Sequence, residues 1–328
     1  MYHKNIFNTI RKNFDIIFSE KPDNNIVFPE NANIIIIKKI FKKIIGGLKI
    51  FIPFDIFFPG YNLVITDSFT PLRLNKKNRI FTIIHDLMSI TERKNYSIQS
   101  QIYYFFAHKT YKRADKIITV SDNTKNDIIR LLHIEKSNIV VIPNASTFTV
   151  DRKSVEDYFL FIGEMRKNKN LKNIILGFIE YKKQSDNKTK LIVCGSKKYE
   201  YNNIYNLIYN SEYEKDIIFT GYITDNQKIE FFSKTKGLIL LSDNEGFGTP
   251  VIEAITNNIP VLVSDIPIMY EVSDNMGIFI NQKDIYAIAN GFSVLAKYEI
   301  NNAFIDVCQK LKERYSLSSF EESINEIL

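Results

Sequence analysis

Two carboxylates eight residues apart flank a Gly-aromatic-Gly turn in the segment Ser242-Asp243-Asn244-Glu245-Gly246-Phe247-Gly248-Thr249-Pro250-Val251-Ile252-Glu253-Ala254. The apolar run 237–241 leads into this turn, and a helical pattern opens at about Pro250. A strand, a glycine-rich turn and a helix N-terminus together suit an anion, because the first N–H groups of a helix lack intrahelical partners and point outward. Glycines let the backbone approach a ligand closely. Thr249 is expected to cap the helix, with Pro250 at its first position. Amides for phosphate and carboxylates for hydroxyls describe one ligand with both groups, and a nucleotide-sugar fits that description.

A second cluster, Gly163-Glu164-Met165-Arg166-Lys167-Asn168-Lys169-Asn170-Leu171, puts three cations between a strand pattern and a helix start. Cations are unfavourable there, since the helix dipole is positive at that end. An anion in the site removes the conflict, and Glu164 balances only part of the charge. A third signal is His85-Asp86-Leu87, directly after the apolar run 79–84. Such a His lies on the rim of a sheet, at the end where ligands bind in open parallel sheets.

The elements needed to position these groups follow from periodicity. Strand patterns at 158–162, 191–194, 216–220, 237–241 and 260–263 alternate with helical ones at 171–182 and 225–234. That alternation predicts an α/β fold with a parallel sheet covered on both faces. Gly163, Gly195, Gly221 and Glu245 all fall just past strand ends and are expected to share one rim. The first half has the same grammar at 79–84, 116–120 and 138–142, with helices at 103–114 and 122–132. Ser121 is a candidate cap for the latter helix, and Asn144 follows a strand end. Phe14–Phe18 is the first candidate strand, after a helical pattern at 6–14. The polar stretch 144–156 reads as a linker and 316–328 as a short amphipathic helix.

Bulk properties bound the answer. A chain of 328 residues with 45% hydrophobic content supports two cored domains. A net charge of +6 suits anionic small molecules or an acidic membrane face and is far from a dedicated nucleic-acid binder, so no nucleic-acid partner is expected. Cys194 and Cys308 form neither a disulfide framework nor a zinc pattern, which points to a reducing, cytoplasmic compartment. The N-terminal residues lack the apolar core of a signal peptide. The stretch 34–65 is interrupted by lysines and prolines and makes no clean spanning helix. Its first part, 34–58, mixes Lys with Ile and Phe and suits either a core-facing helix with a solvated Lys face or an anionic lipid surface. No Asp-x-Asp motif, no metal-spaced Cys/His cluster, no Gly-x-Ser-x-Gly elbow and no Walker loop is present.

The run Glu-Gly-Phe-Gly-x-Pro-x-x-Glu-Ala resembles the motif of family 4 retaining glycosyltransferases, the mannosyltransferase-like group 1 enzymes of GT-B fold. The resemblance implies two Rossmann-like domains facing a cleft: an acceptor-side domain at 1–145, a nucleotide-sugar domain at 146–315, and a C-terminal helix at 316–328 that crosses back. It gives Glu245 the transferred sugar, the Gly246, Phe247, Gly248 and Thr249 backbone the sugar and diphosphate, and Glu253 the ribose. Gly163, Arg166 and Lys169 match the family's diphosphate loop, with Lys167 a weaker match. Ile223 in Gly221-Tyr222-Ile223 matches the backbone contact to the base, and His85 the cross-cleft contact to the sugar. Diphosphate charge would then be neutralised by Arg166, Lys169 and the helix end. No cofactor or metal is expected beyond a GDP-, UDP- or dTDP-linked donor. The expected reaction moves a hexose, mannose-like by resemblance, to a glycan or lipid-linked hydroxyl in surface polysaccharide or glycolipid synthesis, at the inner face of the cytoplasmic membrane. The chain departs from the family before residue 79, where an opening strand with a glycine-rich loop is expected and the first glycine is Gly46. That departure leaves a weakly active nucleotide-sugar-binding subunit, or an epimerase or hydrolase on the same fold, as alternatives.

Overall fold

The computed structural model describes residues 14–18, 32–36, 63–67, 70, 72, 74 and 77–327, apart from 147, 153, 185–187, 197–200 and 210. The chain divides into two compact units: Met1–Ala145 with Leu317–Leu328, and Ser146–Ser316.

The second unit is a six-stranded sheet, every neighbouring pair parallel. Parallel strands are covered on both faces and therefore read as unbroken apolar runs. In chain order after the six strands of the first unit, given below, these are β7 (Tyr158–Ile162), β8 (Lys190–Cys194), β9 (Ile217–Gly221), β10 (Gly237–Leu240), β11 (Val261–Ser264) and β12 (Ile278–Ile280). Phe159, Phe161, Phe178 and Phe292 anchor the core that β7 and its neighbours form with the helices at Leu171–Lys183 and Ile285–Ala296. Strand order is β12-β11-β10-β7-β8-β9. The chain enters in the middle at β7, runs out to β9, returns to β10 beside β7, and runs out the other way. The reversal between β7 and β10 is a topological switch point, where the loops leaving two adjacent strands diverge and leave a crevice.

The first unit contains a parallel pair, β1 (Phe14–Phe18) and β2 (Ala32–Ile36). It also contains a four-stranded parallel sheet ordered β3 (Leu63–Asp67), β4 (Arg79–Ile84), β5 (Lys116–Thr119) and β6 (Ile139–Val141). Its helices are α1 (Met88–Thr91), α2 (Ile98–Thr110), α3 (Asp122–Leu132) and the C-terminal Leu317–Ile327. The last buries Phe320 and Ile324, and its end carbonyl at Ile327 accepts from Arg79 at 3.0 Å.

Several expectations shift. Phe14–Phe18 is the strand expected; the helical pattern at 6–14 otherwise lies outside the described residues. The run 34–58 does not begin as a helix, since Ile34, Ile35 and Ile36 pair with β1; its remainder lies outside the described residues. The helix expected at 103–114 runs instead from Ile98, where the Ser97 hydroxyl accepts the Ser100 N–H, to Thr110. β2, β3 and β12 were not anticipated, because short apolar runs without alternation leave no distinct period. The expected linker at 144–156 packs on the second unit: Val150 N–H donates to Asn257 Oδ1 at 2.8 Å and Arg152 donates to the Asn258 and Thr235 carbonyls. Among the described residues no helix is long and apolar enough to cross a membrane.

Candidate active site

The loops that leave β7 and β10 meet at the switch point. After β7, residues 163–170 include a single 3-10 turn, Lys167–Lys169, before α4 (Leu171–Lys183) begins. After β10, residues 241–248 lead into a later helix, Thr249–Ile255. The two loops are sewn together by the Asp243 N–H, which donates to the Asn168 carbonyl at 2.8 Å. Lys169 Nζ is thereby brought onto Glu245 Oε1, and the two form an ion pair. The same oxygen accepts from Ser242 Oγ at 2.7 Å, while the Ser242 carbonyl accepts from Ser264 Oγ on β11 at 2.7 Å. Glu245 is 8% exposed, so its charge is held by a cation and a hydroxyl rather than by water.

Arg166 lies in the same loop and pairs with Glu164 at 2.6 Å. Both side chains are about half exposed, and such a pair contributes only about 0–1 kcal/mol. An anion with two charges can therefore draw Arg166 away at little cost. Gly163 donates its N–H to the Cys194 carbonyl at 3.0 Å, and Gly195 donates to the Gly221 carbonyl at 2.8 Å. The ends of β7, β8 and β9 thus form the continuous rim expected. The backbone is so close here that a Cβ on Gly195 would lie 1.9 Å from the Gly163 oxygen. Ile223 sits half-buried two residues past β9, next to Tyr222, which is almost entirely exposed.

The helix start differs from expectation. Thr249 is not the cap: it is the first helical residue, Pro250 is the second, and Gly248 caps the helix in the left-handed region at φ 78°. Only a residue without Cβ adopts that conformation without strain. Pro250 has no N–H, and the Val251 N–H already donates to the Gly248 carbonyl at 2.9 Å. The helix end therefore offers fewer free donors than its sequence suggests, and the neighbouring cations carry more of any anion's charge. Gly246 is buried in the turn. Phe247 packs its ring edge-to-face on Tyr315 at 5.8 Å, so its side chain braces the turn.

Glu253 is fully buried on that helix. Its Oε1 pairs with Lys228 Nζ at 2.5 Å, and its Oε2 has no hydrogen-bond partner. Burial pushes the carboxyl above its usual range and Lys228 pulls it back down. Lys228 comes from the helix Asp225–Lys234, whose N-terminus carries a reciprocal Thr224–Gln227 capping box, and its ammonium lies 5.0 Å above the Phe148 ring. A buried, half-satisfied carboxylate is costly in a closed protein and useful where a ligand hydroxyl completes it.

In the first unit, His85 follows β4 and is half-buried. Its carbonyl accepts from Thr124 Oγ1 at 3.3 Å, and Asp86 Oδ1 accepts the Met88 N–H at 2.9 Å, which shapes the turn after it. Ser121 is buried and caps α3, accepting from the Thr124 N–H; Asn144 is buried as well. Cys194 and Cys308 are buried free thiols, with burial raising them to about 11 and about 12, which makes neither a nucleophile at neutral pH.

Residues 144–313, more than half of the chain and nearly all of the second unit, match the model for glycosyl transferases group 1. The chain belongs to that family. Residues 48–146 match the model for glycosyltransferase family 4. Among curated relatives, the O-antigen chain mannosyltransferase RfbU of Salmonella typhimurium is 32% identical over 212 residues, 63% of this chain and 58% of that protein. O-antigen chain mannosyltransferase B of Escherichia coli is 26% identical over 231 residues, 66% of this chain and 60% of that protein. The matches thus span about three fifths of these relatives' length. Among solved structures, sucrose-phosphate synthase from Thermosynechococcus elongatus superposes with a TM-score of 0.75 at 15% identity, over 99% of this chain and 90% of that one. S. aureus TarM, solved with UDP and alpha-GlcNAc-glycerol, superposes with a TM-score of 0.62 at 20% identity, over 78% and 52%. At these identities the likeness establishes the fold, and the α/β, GT-B class read from the sequence holds.

The group 1 motif thus lies where the sheet reverses, with Arg166, Lys169, Gly163 and Glu245 brought together in one unit. Two partners were missed: Ser242, which holds Glu245, and Lys228, which holds Glu253. A lysine on an ordinary amphipathic helix gives no local signal, because its partner lies 25 residues away.

Proposed function

We propose that the chain is a retaining glycosyltransferase that moves a hexose, mannose-like in kind, from a nucleotide-diphosphate sugar to a hydroxyl on a glycan or lipid-linked acceptor. The mannose reading draws on the O-antigen mannosyltransferases among its relatives, and surface polysaccharide or glycolipid assembly at the cytoplasmic face of the membrane follows from it. The observation that carries the reading is the Lys169–Glu245 pair at the switch point. Without donor each charge neutralises the other. A diphosphate takes over Lys169, with Arg166 released from Glu164, and Glu245 is then left to accept from a sugar hydroxyl. Glu253 Oε2 accepts from a ribose hydroxyl, and the Ile223 backbone borders the base. His85 is the further side chain that the family resemblance assigns to the sugar.

In the transfer step the acceptor oxygen bonds to the anomeric carbon as the bond from that carbon to the diphosphate oxygen breaks. The acceptor proton passes to the leaving phosphate on the same face, and Lys169 and Arg166 stabilise the charge that develops there. Incubation with labelled nucleotide-sugars tests this reading. Slow release of free nucleotide that accelerates with a glycan or lipid-linked acceptor supports transfer. Binding without turnover, or an altered sugar still attached to its nucleotide, overturns it.

A further inference from the structure

The two buried carboxylates of the second unit are each held by a lysine, but a nucleotide-sugar offers the two lysines different groups. At Lys169 the donor brings its own anion, and a diphosphate oxygen replaces Glu245 as the counter-ion. Nothing comparable arrives at Lys228. A ribose carries neutral hydroxyls, which accept from an ammonium without neutralising it. Moving Lys228 off Glu253 for such a group would strand a buried charge, the step that buried ion pairs resist most strongly.

The surroundings of Lys228 also hold it where it is. Its ammonium lies 2.5 Å from Glu253 Oε1, 5.0 Å from the centre of the Phe148 ring and 5.9 Å from that of Phe232. The two rings pack edge-to-face at 5.2 Å and form one wall, and a cation over aromatic faces is attracted to them. The helix Asp225–Lys234 is fixed at its start by the Thr224–Gln227 capping box. On the other side, Asn257 Nδ2 donates to the Glu253 carbonyl at 2.8 Å and steadies the end of the helix that carries the carboxylate. Oε1 is therefore taken, while Oε2 is buried with no partner among the described residues. A carboxylate with both oxygens open can accept one ribose hydroxyl on each. Glu253 has one oxygen to give.

We propose that Lys228 is a specificity-determining residue of the donor site: by keeping Oε1 it restricts ribose recognition to a single hydroxyl, bound at Oε2. The inference rests on the reading of the second unit as a nucleotide-sugar site and narrows what that site demands of its donor. Loss of one ribose hydroxyl is penalised and loss of its neighbour is tolerated, so the donor class extends to nucleotides with a deoxygenated ribose.

Calorimetric titration of the full chain with GDP and UDP, and with the 2′-deoxy and 3′-deoxy forms of each, tests it. For a base that binds, one deoxy form is expected within about threefold of the parent and the other at least about tenfold weaker, the size of one lost hydrogen bond to a carboxylate. A tenfold loss with both forms overturns the proposal, and so does no loss with either. Lys228→Met opens Oε1, and both deoxy forms should then bind at least about tenfold more weakly than the parent. A folded Lys228→Met protein that keeps the wild-type pattern removes Lys228 from the argument. The wild-type titrations need no substitution, so they decide the single-hydroxyl claim even where that variant does not fold. Failure of both GDP and UDP to bind sinks the nucleotide-sugar reading and this inference with it. Binding of a parent nucleotide that requires both hydroxyls sinks this inference alone.

Discussion

Each unit is built on a parallel sheet of its own, and the two hold and arm those sheets in opposite ways. The second places buried charges at its functional edge and matches each with a partner: Glu245 with Lys169, Glu253 with Lys228. The first is knit with neutral groups. Thr82 on β4 bonds Thr70 Oγ1 at 2.7 Å and Thr66 Oγ1 at 3.1 Å, and Thr70 N–H donates to Thr110 Oγ1 at 2.8 Å. Its rim residue, His85, is an imidazole. Buried charges bind tightly and demand compensation; neutral hydroxyls fix geometry at low electrostatic cost. The diphosphate proposed for the second unit suits the first kind of construction.

The largest effect that would break this contrast is loss of the paired charges. Glu245→Gln and Lys169→Met should each lower kcat by about 10²–10³-fold, measured as labelled sugar transferred. Full activity in either would remove the pair from the mechanism.

Lys228→Met sharpens the comparison through stability. Removing one partner of a buried pair costs about 3 kcal/mol. Glu253 then keeps its proton to higher pH than it does in the unfolded chain. The variant should therefore lie near wild type at acidic pH and lose stability as pH rises through the folded value, measured by urea titration from acidic to neutral pH. Lys228→Met with Glu253→Gln should regain most of that loss and still bind donor poorly. A flat pH profile for the single variant would mean that Lys228 does not govern Glu253.

Smaller effects come from the first unit. His85→Ala should lower kcat/KM by about tenfold without changing the melting temperature, the size of one lost hydrogen bond in the transition state. The smallest concerns His108 on α2, whose Nε2 bonds Ser89 Oγ at 2.9 Å and whose protonation burial suppresses, from 6.5 to about 4. The unfolded chain takes up this proton first, so stability should decline as pH falls through that window. His108→Gln should flatten the decline in thermal melts.

Legibility followed the same division. In the second unit, strands such as Tyr158–Ile162 and Val261–Ser264 are apolar runs closed by glycine or serine, and the Glu245 to Glu253 motif is a run of consecutive residues that local rules can read. In the first, β2 lies in Ile- and Lys-rich sequence and β3 is a short run without clean alternation, and the exposed Ile98, Ile102, Phe105 and Phe106 of α2 look like those of any core-facing helix when only residue types are considered. Local spacing also misled at Thr249: the left-handed Gly248 takes the cap, which moves Pro250 one place further into the helix.

What the sequence determined by itself was chemistry carried on neighbouring residues: the family, the α/β class, the glycine turn and the carboxylates and cations beside it. What only the tertiary structure decided was which charge meets which. The reversal of strand order puts Lys169 on Glu245, and the crossing of two helices puts Lys228 on Glu253 while leaving one carboxylate oxygen without a partner. Pairing across 76 or 25 residues depends on how sheets and helices pack, and no local pattern of side chains records it.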